Sequence, residues 1–262
     1  MEPVIQSLWI GKQLSTMERL SISSFLHNGH SFHLYVYDDV AGVPQGTTVK
    51  DANDIVPAGR IFKYRDYDSY SGFSNLFRYR LLAEKGGCWV DTDVVCIKPF
   101  RFTQDYRFVS VLEGRPFFNL ACFHAKKPYI TFGRGYYVNT WFIKAPAGSE
   151  IMDYCYGESL ARDPATLNWG EIGPRLMTAA VKKFGLQGHV VPYETFFPIN
   201  EHQWKQLIAG SLAVRWKWRK ALDSSFAVHF YHEMWRRNNL DKDAAFTSNS
   251  VYEILKRRYL PD

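Results

Sequence analysis

The chain has 262 residues, of which 46% are hydrophobic and 16% aromatic, and its formal net charge is +6. This length suits one large core, and no Pro/Gly/Ser-rich linker or fixed-period repeat divides it, so we predict a single domain over residues 1–262. No stretch resembles a membrane span or a signal peptide, and four cysteines are too sparse for a disulfide scaffold, so we expect a cytoplasmic protein.

The first forty residues follow strand and helix patterns in turn. Three segments match a strand, a helix and a second strand: residues 3–11, 15–25 and 31–39. Ser15 or Thr16 can cap the helix while Glu18 returns the hydrogen bond, as in a capping box. This order predicts a βαβ unit and therefore an α/β fold, with a mainly parallel sheet flanked by helices.

Residues 73–100 combine a helix pattern, a Gly-Gly stop and an Asp-x-Asp triplet after an apolar strand. Phe73, Phe77 and Leu81 recur every four residues, which predicts about three turns of helix. The Gly-Gly pair at 86–87 supplies a left-handed helix end. The strand that follows is expected to run on as an extended segment through the triplet until Pro99 ends it.

The rest of the chain alternates between apolar runs and helical patterns. We predict strands at 60–64, 107–113 and 117–125, a helix at 170–185 with Pro174 in its first turn, an extended segment at 189–200 and a last strand within 225–235.

Helix and returning strand place four polar side chains at one edge of the predicted sheet. Asn75 and Arg78 lie on one helical face, near the helix N-terminus, and Asp91 and Asp93 lie where the strand ends. Two carboxylates two residues apart on an extended segment point to one side and repel each other without a cation. Mg²⁺ or Mn²⁺ with substrate phosphates fits them, and Arg78 adds a fixed positive group for phosphate.

The triplet alone is a weak signal because the chain contains three of them: Asp66/Asp68, Asp91/Asp93 and Asp241/Asp243. The first and last lie in polar loops and are typical of solvated turns. The alternative for the middle triplet is a turn at a strand end, closed by aspartate hydrogen bonds.

Residues 74–100 resemble the sugar-binding DxD region of retaining glycosyltransferases, the family of yeast initiating mannosyltransferases, α-1,4-galactosyltransferases and bacterial capsule enzymes. They also resemble the glucosyltransferase domain of clostridial toxins. The matching residues are Ser74, Asn75, Arg78, Gly86, Gly87, Trp89, Asp91 and Asp93. Asn75 is the departure, because the family usually has aspartate there.

The resemblance implies a GT-A fold, a retaining mechanism, Mn²⁺ or Mg²⁺, and a nucleotide-sugar donor with uridine as the base. It implies that Trp9 stacks on the base and that Asn75, Arg78 and Asp91 bind the donor. His229 and Trp235 match the C-terminal element that closes over the diphosphate. The implied roles are catalytic for Asp91 and Asp93 and metal-binding for Asp93 and His229.

Several of these residues have a second interpretation. His229 is also typical of a hydrogen-bonded core histidine, with His232 and Glu233 as rival ligands, and Trp235 is either a lid over the donor or a core residue. Asn119 is a polar side chain in the apolar run 117–125, and we expect it to face the donor sugar and act in catalysis.

Taken together, these features predict a metal-dependent retaining hexosyltransferase of polysaccharide biosynthesis, with a glycan or glycolipid acceptor. The alternatives are a nucleotide-sugar hydrolase, a nucleotidyltransferase, or a catalytically silent module that binds sugar or nucleic acid. Basic residues interleave with tryptophan near the C-terminus, at 215–222, 235–239 and 256–258. They favour either a solvated face or a peripheral site on the inner membrane surface, whereas no motif indicates specific nucleic-acid binding.

Overall fold

The computed structural model describes residues 3–110, 137–196, 199, 201–210 and 224–260. The chain divides into two compact units. The first comprises Met1–Ala58, Gly87–Gln104 and Glu194–Asp262, and the second comprises Gly59–Gly86 and Asp105–Tyr193. The single domain expected over residues 1–262 stays a prediction.

The described strands are, in chain order, β1 (Ile5–Trp9), β2 (Phe32–Val36), β3 (Thr48–Asp51), β4 (Gly87–Val90), β5 (Val94–Cys96), β6 (Arg107–Ser110), β7 (Val138–Ala145), β8 (Val190–Val191) and β9 (Ala227–His229). The described α-helices are α1 (Thr16–His27), α2 (Ser71–Lys85), α3 (Glu150–Leu160), α4 (Leu176–Lys183), α5 (His232–Arg237) and α6 (Val251–Tyr259). Short 3-10 turns cover Ala52–Asp54, Ala58–Arg60, Gln187–His189, Tyr193–Thr195 and Glu201–Leu207, and a π-helical turn covers Glu171–Arg175.

A parallel sheet forms the frame of the first unit. Its strand order is β3-β2-β1-β4, and every neighbouring pair is parallel. A separate antiparallel pair, β5 with β9, joins the Asp-x-Asp region to the C-terminal part of the chain. The α/β class and the mainly parallel sheet are therefore as predicted.

Helix α1 begins at the capping box that the sequence predicts, with Ser15 as the cap. The Ser15 side chain accepts from the backbone of Met17, and Glu18 accepts from the Ser15 N–H. Because Glu18 is fully buried, its second oxygen needs a partner, and Lys242 Nζ lies 2.6 Å from it. The C-terminal part of the chain thus contributes to the start of the first helix.

The first unit has a hydrophobic core of aromatic and aliphatic side chains, to which its helices and the β5–β9 pair contribute. It contains Met17 and Leu20 from α1, Val228 from β9, and the large side chains of Trp235 and Tyr252. Trp235 and Tyr252 have no exposed surface and pack edge to face at 5.1 Å between ring centroids.

The second unit packs α2 and α3 together and contains a short mixed sheet. Strand β6 pairs antiparallel with β7 and parallel with β8. Gly86 ends α2 with φ of 63° and ψ of −161°, a conformation open essentially only to glycine. A Cβ on Gly86 would lie 2.4 Å from the backbone nitrogen of Ala147, so both backbone angle and space require glycine.

Some expected elements differ in the structure. Residues 61–64 form no strand, because the Tyr64 N–H donates to Ser69 O and closes a local loop. The helix expected at 170–185 is split, since Gly173 has non-helical backbone angles just before Pro174 and α4 begins only at Leu176. Five of the described strands and α-helices were not predicted: β3, β7, α3, α5 and α6. The predicted strand at 117–125 lies outside the described residues.

None of the helices in the described part of the chain combines the length and the apolar character that crossing a membrane requires.

Candidate active site

The Asp-x-Asp triplet at 91–93 lies in a tight turn between two strands. Strand β4 ends at Val90, β5 begins at Val94, and the Val94 N–H donates to Asp91 O at 3.1 Å. The expectation of an extended segment is therefore wrong, because the apolar run divides between two different ladders. The turn still brings the two carboxylates together, by bending the chain rather than by strand alternation.

Strand β9 brings His229 to this turn from 136 residues away in the chain. His229 pairs with Val94 across the β5–β9 ladder, so its imidazole lies beside the carboxylate that precedes β5. His229 Nε2 is 3.1 Å from Asp93 Oδ2, and the His232 N–H donates to the same oxygen at 2.7 Å. Of the two candidate histidine side chains, the structure places that of His229 in the cluster.

Asp93 is buried, and its environment favours the carboxylate. Burial opposes ionisation, but the charge and hydrogen bond of His229 and the backbone N–H of His232 outweigh it, so the pKa of Asp93 lies below its usual range. Burial and the positive charge of Lys242 lower the pKa of His232. The pocket thus holds a negative oxygen where a cation would bind.

Asp91, Asp93 and His229 fit a divalent metal ion. One ligand atom from each lies within 4.8 Å of the other two. In an octahedral shell with bonds of about 2.1 Å, neighbouring ligand atoms lie about 3 Å apart, and the 3.1 Å between His229 Nε2 and Asp93 Oδ2 matches this spacing. Two carboxylates and an imidazole leave further positions for water or substrate phosphate.

Trp89 orients the first aspartate of the triplet. Its indole Nε1–H donates to Asp91 Oδ1 at 2.8 Å, while the ring itself is almost completely buried at the end of β4. A buried donor that fixes a ligand carboxylate acts as an outer-shell partner of a metal site. From the sequence, Trp89 was identified only as an aromatic residue of the motif, and this hydrogen bond was missed. The signal that could have indicated it is the position of Trp89 two residues before Asp91.

Glu233, the other rival ligand, is engaged elsewhere. Its carboxylate accepts from Arg236 at 2.8 and 2.9 Å and from Arg237 at 2.6 Å. Burial opposes ionisation of Glu233, but these hydrogen bonds lower its pKa. The sequence did not indicate this arginine clamp, because it depends on the helix that begins at His232.

Trp9 ends β1 in the same unit and is partly exposed. Its Nε1 has no hydrogen-bond partner in the described part of the chain, and Lys242 Nζ lies 5.4 Å from its ring centroid. A Cβ at position 11 would approach Nε1 to 3.2 Å, so Gly11 leaves the indole edge uncrowded. Stacking of Trp9 on a nucleotide base stays a prediction.

Trp235 occupies the core position that the sequence left open as an alternative. It has no exposed surface and packs against Trp204, Phe230, Phe246 and Tyr252. A side chain enclosed by these rings presents no face to a ligand. In this structure Trp235 therefore supports the unit from within, and the role of a lid over the donor has no support from its position.

Asn75 and Arg78 lie on α2 in the second unit, both nearly fully buried. The Arg78 guanidinium donates to Ser74 O at 3.1 Å, to Ser74 Oγ at 2.8 Å and to Thr140 O, which fixes its orientation. Asn75 lies against Gly173, where a Cβ would come within 3.0 Å of Nδ2. Within the described residues Asn75 Oδ1 has no hydrogen-bond partner. Donor contacts of both residues stay predictions.

The other two triplets have the structural roles expected of turns. Asp66 and Asp68 are exposed and pair with Arg65 and Lys63. Asp243 accepts from both the backbone and the hydroxyl of Thr16 at 2.7 Å, so it supports the first turn of α1.

Two of the predicted features lie outside the described residues. They are Asn119, expected to face the donor sugar, and the basic segment 215–222.

Comparison with known proteins identifies the class. A family model described as a glycosyltransferase sugar-binding region containing the DXD motif matches residues 17–109. The predicted resemblance is therefore confirmed for the part of the chain that carries the DXD motif. A second model, described as an alpha 1,4-glycosyltransferase conserved region, matches residues 158–262.

Solved structures with some similarity are also glycosyltransferases. PaToxG is 14% identical, with 98% of this chain and 88% of that chain covered and a TM-score of 0.46. The bifunctional enzyme WbbM is 10% identical, with a TM-score of 0.49. The match covers 99% of this chain and 52% of WbbM, so this chain spans about half the length of that enzyme. The galactosyltransferase LgtC is 11% identical, with 87% of this chain and 86% of that chain covered and a TM-score of 0.47. No curated protein sequence matches the chain significantly.

Proposed function

We propose that this chain is a metal-dependent, retaining hexosyltransferase that moves a sugar from a UDP-linked donor to a glycan or glycolipid acceptor. The observation that carries the proposal is the cluster of Asp91, Asp93 and His229, whose ligand atoms lie within 4.8 Å of one another. The DXD sugar-binding model covers the two aspartates and supports a sugar donor. Uridine is the base that the family resemblance favours.

The cluster suits the departure of a diphosphate. A bound Mn²⁺ or Mg²⁺ neutralises the charge that develops on the leaving group. Asp93 provides a buried anionic oxygen, Trp89 orients Asp91, and His229 supplies a nitrogen ligand. Imidazole is a poor match for Mg²⁺, which prefers oxygen ligands, so we expect Mn²⁺ to support more activity.

Retention follows if the acceptor attacks from the face that the diphosphate leaves. The acceptor oxygen then bonds to the anomeric carbon as the bond from that carbon to the phosphate oxygen breaks. The acceptor proton passes to an oxygen of the departing diphosphate, so no protein nucleophile is needed. Arg78, already oriented by Ser74 and Thr140, is the group we assign to the donor alongside Asn75.

The test measures release of nucleoside diphosphate from a panel of UDP- and GDP-sugars, with Mn²⁺, with Mg²⁺ and with EDTA. Asp93→Ala should lower kcat/KM by roughly a hundredfold or more, because it removes a ligand that stabilises the leaving group. Asp66→Ala, in an exposed triplet of the same chain, is the matched control and should retain full activity.

Analysis of the products separates the candidate reactions. A glycosylated acceptor whose anomeric configuration matches the donor supports the proposal, and NMR coupling constants report that configuration. Free sugar with no glycosylated product across a broad acceptor panel would instead indicate a hydrolase. Turnover that is equal with EDTA and with Mn²⁺ would contradict the metal-dependent mechanism.

We also propose that the acceptor is lipid-linked and that the protein binds an anionic membrane surface. Helix α6 supports this with Arg257 and Arg258, both exposed near the C-terminus. Binding to liposomes containing phosphatidylglycerol, but not to phosphatidylcholine liposomes, is expected, with loss at high salt. Equal binding to both, or none to either, would contradict the membrane assignment without affecting the transferase activity.

A further inference from the structure

Tyr231 has a backbone conformation that its side chain does not favour. Its φ and ψ are 54° and 55°, in the left-handed region. In the described part of the chain, Asn239 is the other non-glycine residue with positive φ. Asparagine tolerates this conformation well, whereas a bulky residue such as tyrosine is a genuine outlier there. Glycine or asparagine would suit the turn better, so contacts of the surrounding structure have to offset the cost of tyrosine there.

The strained turn lies between two groups that contact Asp93. The Phe230 N–H donates to Asp93 O at 2.9 Å, and after the turn the His232 N–H donates to Asp93 Oδ2 at 2.7 Å. A residue in the ordinary right-handed or extended region at position 231 would direct the next N–H elsewhere. The left-handed conformation is therefore what returns the chain to the carboxylate.

The Tyr231 side chain makes two contacts that fix its position, one through its ring and one through its hydroxyl. Its ring centroid lies 4.2 Å from that of His229, at an interplanar angle of 43°, so the phenol packs on the imidazole. Its hydroxyl donates to Ile199 O at 2.6 Å. Ile199 is buried in the core of the first unit, which provides a rigid anchor for the hydroxyl.

The consequence for Asp93 is that one oxygen is occupied in a defined way. Both the imidazole of His229 and the N–H of His232 meet Oδ2, and within the described residues Oδ1 accepts no hydrogen bond. The imidazole and the carboxylate are thus set at the separation of neighbouring metal ligands before any ion binds. Groups that hold metal ligands in place in this way typically contribute roughly 10- to 100-fold to metal affinity.

We propose that Tyr231 is a positioning residue of the metal site, which holds the His229 imidazole and the His232 N–H against Asp93. The inference rests on the proposed metal-dependent function. It does not place Tyr231 in contact with the metal or the donor. Its effect is exerted through His229 and through the turn.

The experiment compares three variants by titration with Mn²⁺ alone, followed by the EPR signal of free Mn²⁺. Tyr231→Asn keeps a residue that tolerates the turn but removes the ring and the hydroxyl. Tyr231→Phe removes only the hydroxyl, which donates to Ile199 O. Tyr252→Phe is the matched control, because Tyr252 belongs to the same core and its hydroxyl donates to the backbone carbonyl of Lys242 at 2.7 Å.

The expected result separates affinity from stability. Tyr231→Asn should weaken Mn²⁺ binding by roughly 10- to 100-fold, the range for outer-shell partners of metal ligands. Tyr231→Phe should weaken it by only about threefold, because the ring still packs on the imidazole. Tyr231→Phe and Tyr252→Phe should each lower Tm by about 2–4 °C, since each loses one partly buried hydrogen bond. Tyr252→Phe should bind Mn²⁺ as the wild type does.

Two outcomes would overturn the inference, and they differ. Wild-type protein that binds Mn²⁺, together with Tyr231 variants that bind it within twofold as tightly, would reduce Tyr231 to a packing residue and leave the proposed function intact. The same conclusion follows if Tyr252→Phe weakens binding as much as Tyr231→Phe does. Wild-type protein that binds no Mn²⁺ would overturn the metal site, and with it both the inference and the metal-dependent function.

Discussion

At the scale of single residues, two asparagines differ in whether their side-chain amides are hydrogen-bonded among the residues that the structure describes. The Asn28 amide donates to Ser24 O and Cys96 O and so completes the end of α1. Asn75 is nearly fully buried, yet within the described residues its Oδ1 accepts no hydrogen bond. A buried carbonyl oxygen without a hydrogen-bond donor costs free energy, so we expect a bound ligand to donate a hydrogen bond to it.

Replacing Asn75 with alanine should therefore separate stability from binding. We expect the free energy of unfolding of Asn75→Ala to stay within about 1 kcal/mol of the wild type, because the lost packing is offset by removal of the unsatisfied oxygen. Affinity for the UDP-sugar, measured by calorimetry with Mn²⁺, should fall roughly tenfold or more.

The control is Asn28→Ala, which should lose about 1 kcal/mol of stability with no change in donor affinity. Unchanged donor affinity in Asn75→Ala would show that the amide does not contact the donor.

At the scale of elements, the start of α1 is stabilised from the far end of the chain. Asp243 accepts from the Thr16 backbone, and Lys242 pairs with Glu18 inside the capping box. Burial opposes ionisation of Asp243, but the backbone and hydroxyl hydrogen bonds from Thr16 outweigh it and lower its pKa. The third Asp-x-Asp triplet thus supports a helix rather than a metal ion.

Lys242→Met should destabilise the protein because it leaves the fully buried Glu18 carboxylate without its counter-charge. We expect a loss of about 3 kcal/mol in urea unfolding, the scale for breaking one side of a buried ion pair. The same substitution in a Glu18→Gln background should cost much less, since the glutamine retains the capping hydrogen bonds without a charge. Equal losses in both backgrounds would rule out the ion pair as the cause.

At the scale of the whole molecule, the cluster of Asp91, Asp93 and His229 belongs to a unit assembled from three separate stretches of chain. The cluster joins residues from two of these stretches, the β4–β5 turn and β9. A ligand that binds only when these stretches are assembled stabilises the folded state by mass action.

Mn²⁺ should therefore raise the stability of the wild-type protein. At a free concentration of a hundred times its dissociation constant, the expected gain is about 2.7 kcal/mol, visible as a higher Tm in a thermal shift assay. EDTA should reverse it, Asp93→Ala should abolish it, and Asp66→Ala should show the full shift. A shift that persists in Asp93→Ala would place the ion elsewhere on the chain.

The features predicted correctly are those whose cause lies within a few residues. The capping box connects Ser15 and Glu18, which are three positions apart. The end of α2 at Gly86 is predictable because the backbone angles there are sterically open to glycine and costly for other residues. The carboxylate pair needs only its own spacing to be recognised as a candidate. Even here the local conformation was predicted wrongly, because an apolar run does not reveal that it is shared between two ladders.

The features that needed the folded structure join residues far apart in the chain. Which histidine contacts Asp93 depends on the register of β9 against β5, because His229 and Asp93 are 136 positions apart in the chain. The position of Trp235 depends on four aromatic rings that pack around it. Local propensity carries no information about such contacts, because their free energy arises only when the surrounding core excludes water. The sequence thus indicates a turn with two carboxylates that could bind a metal ion, and the packing of distant strands decides that His229 joins them.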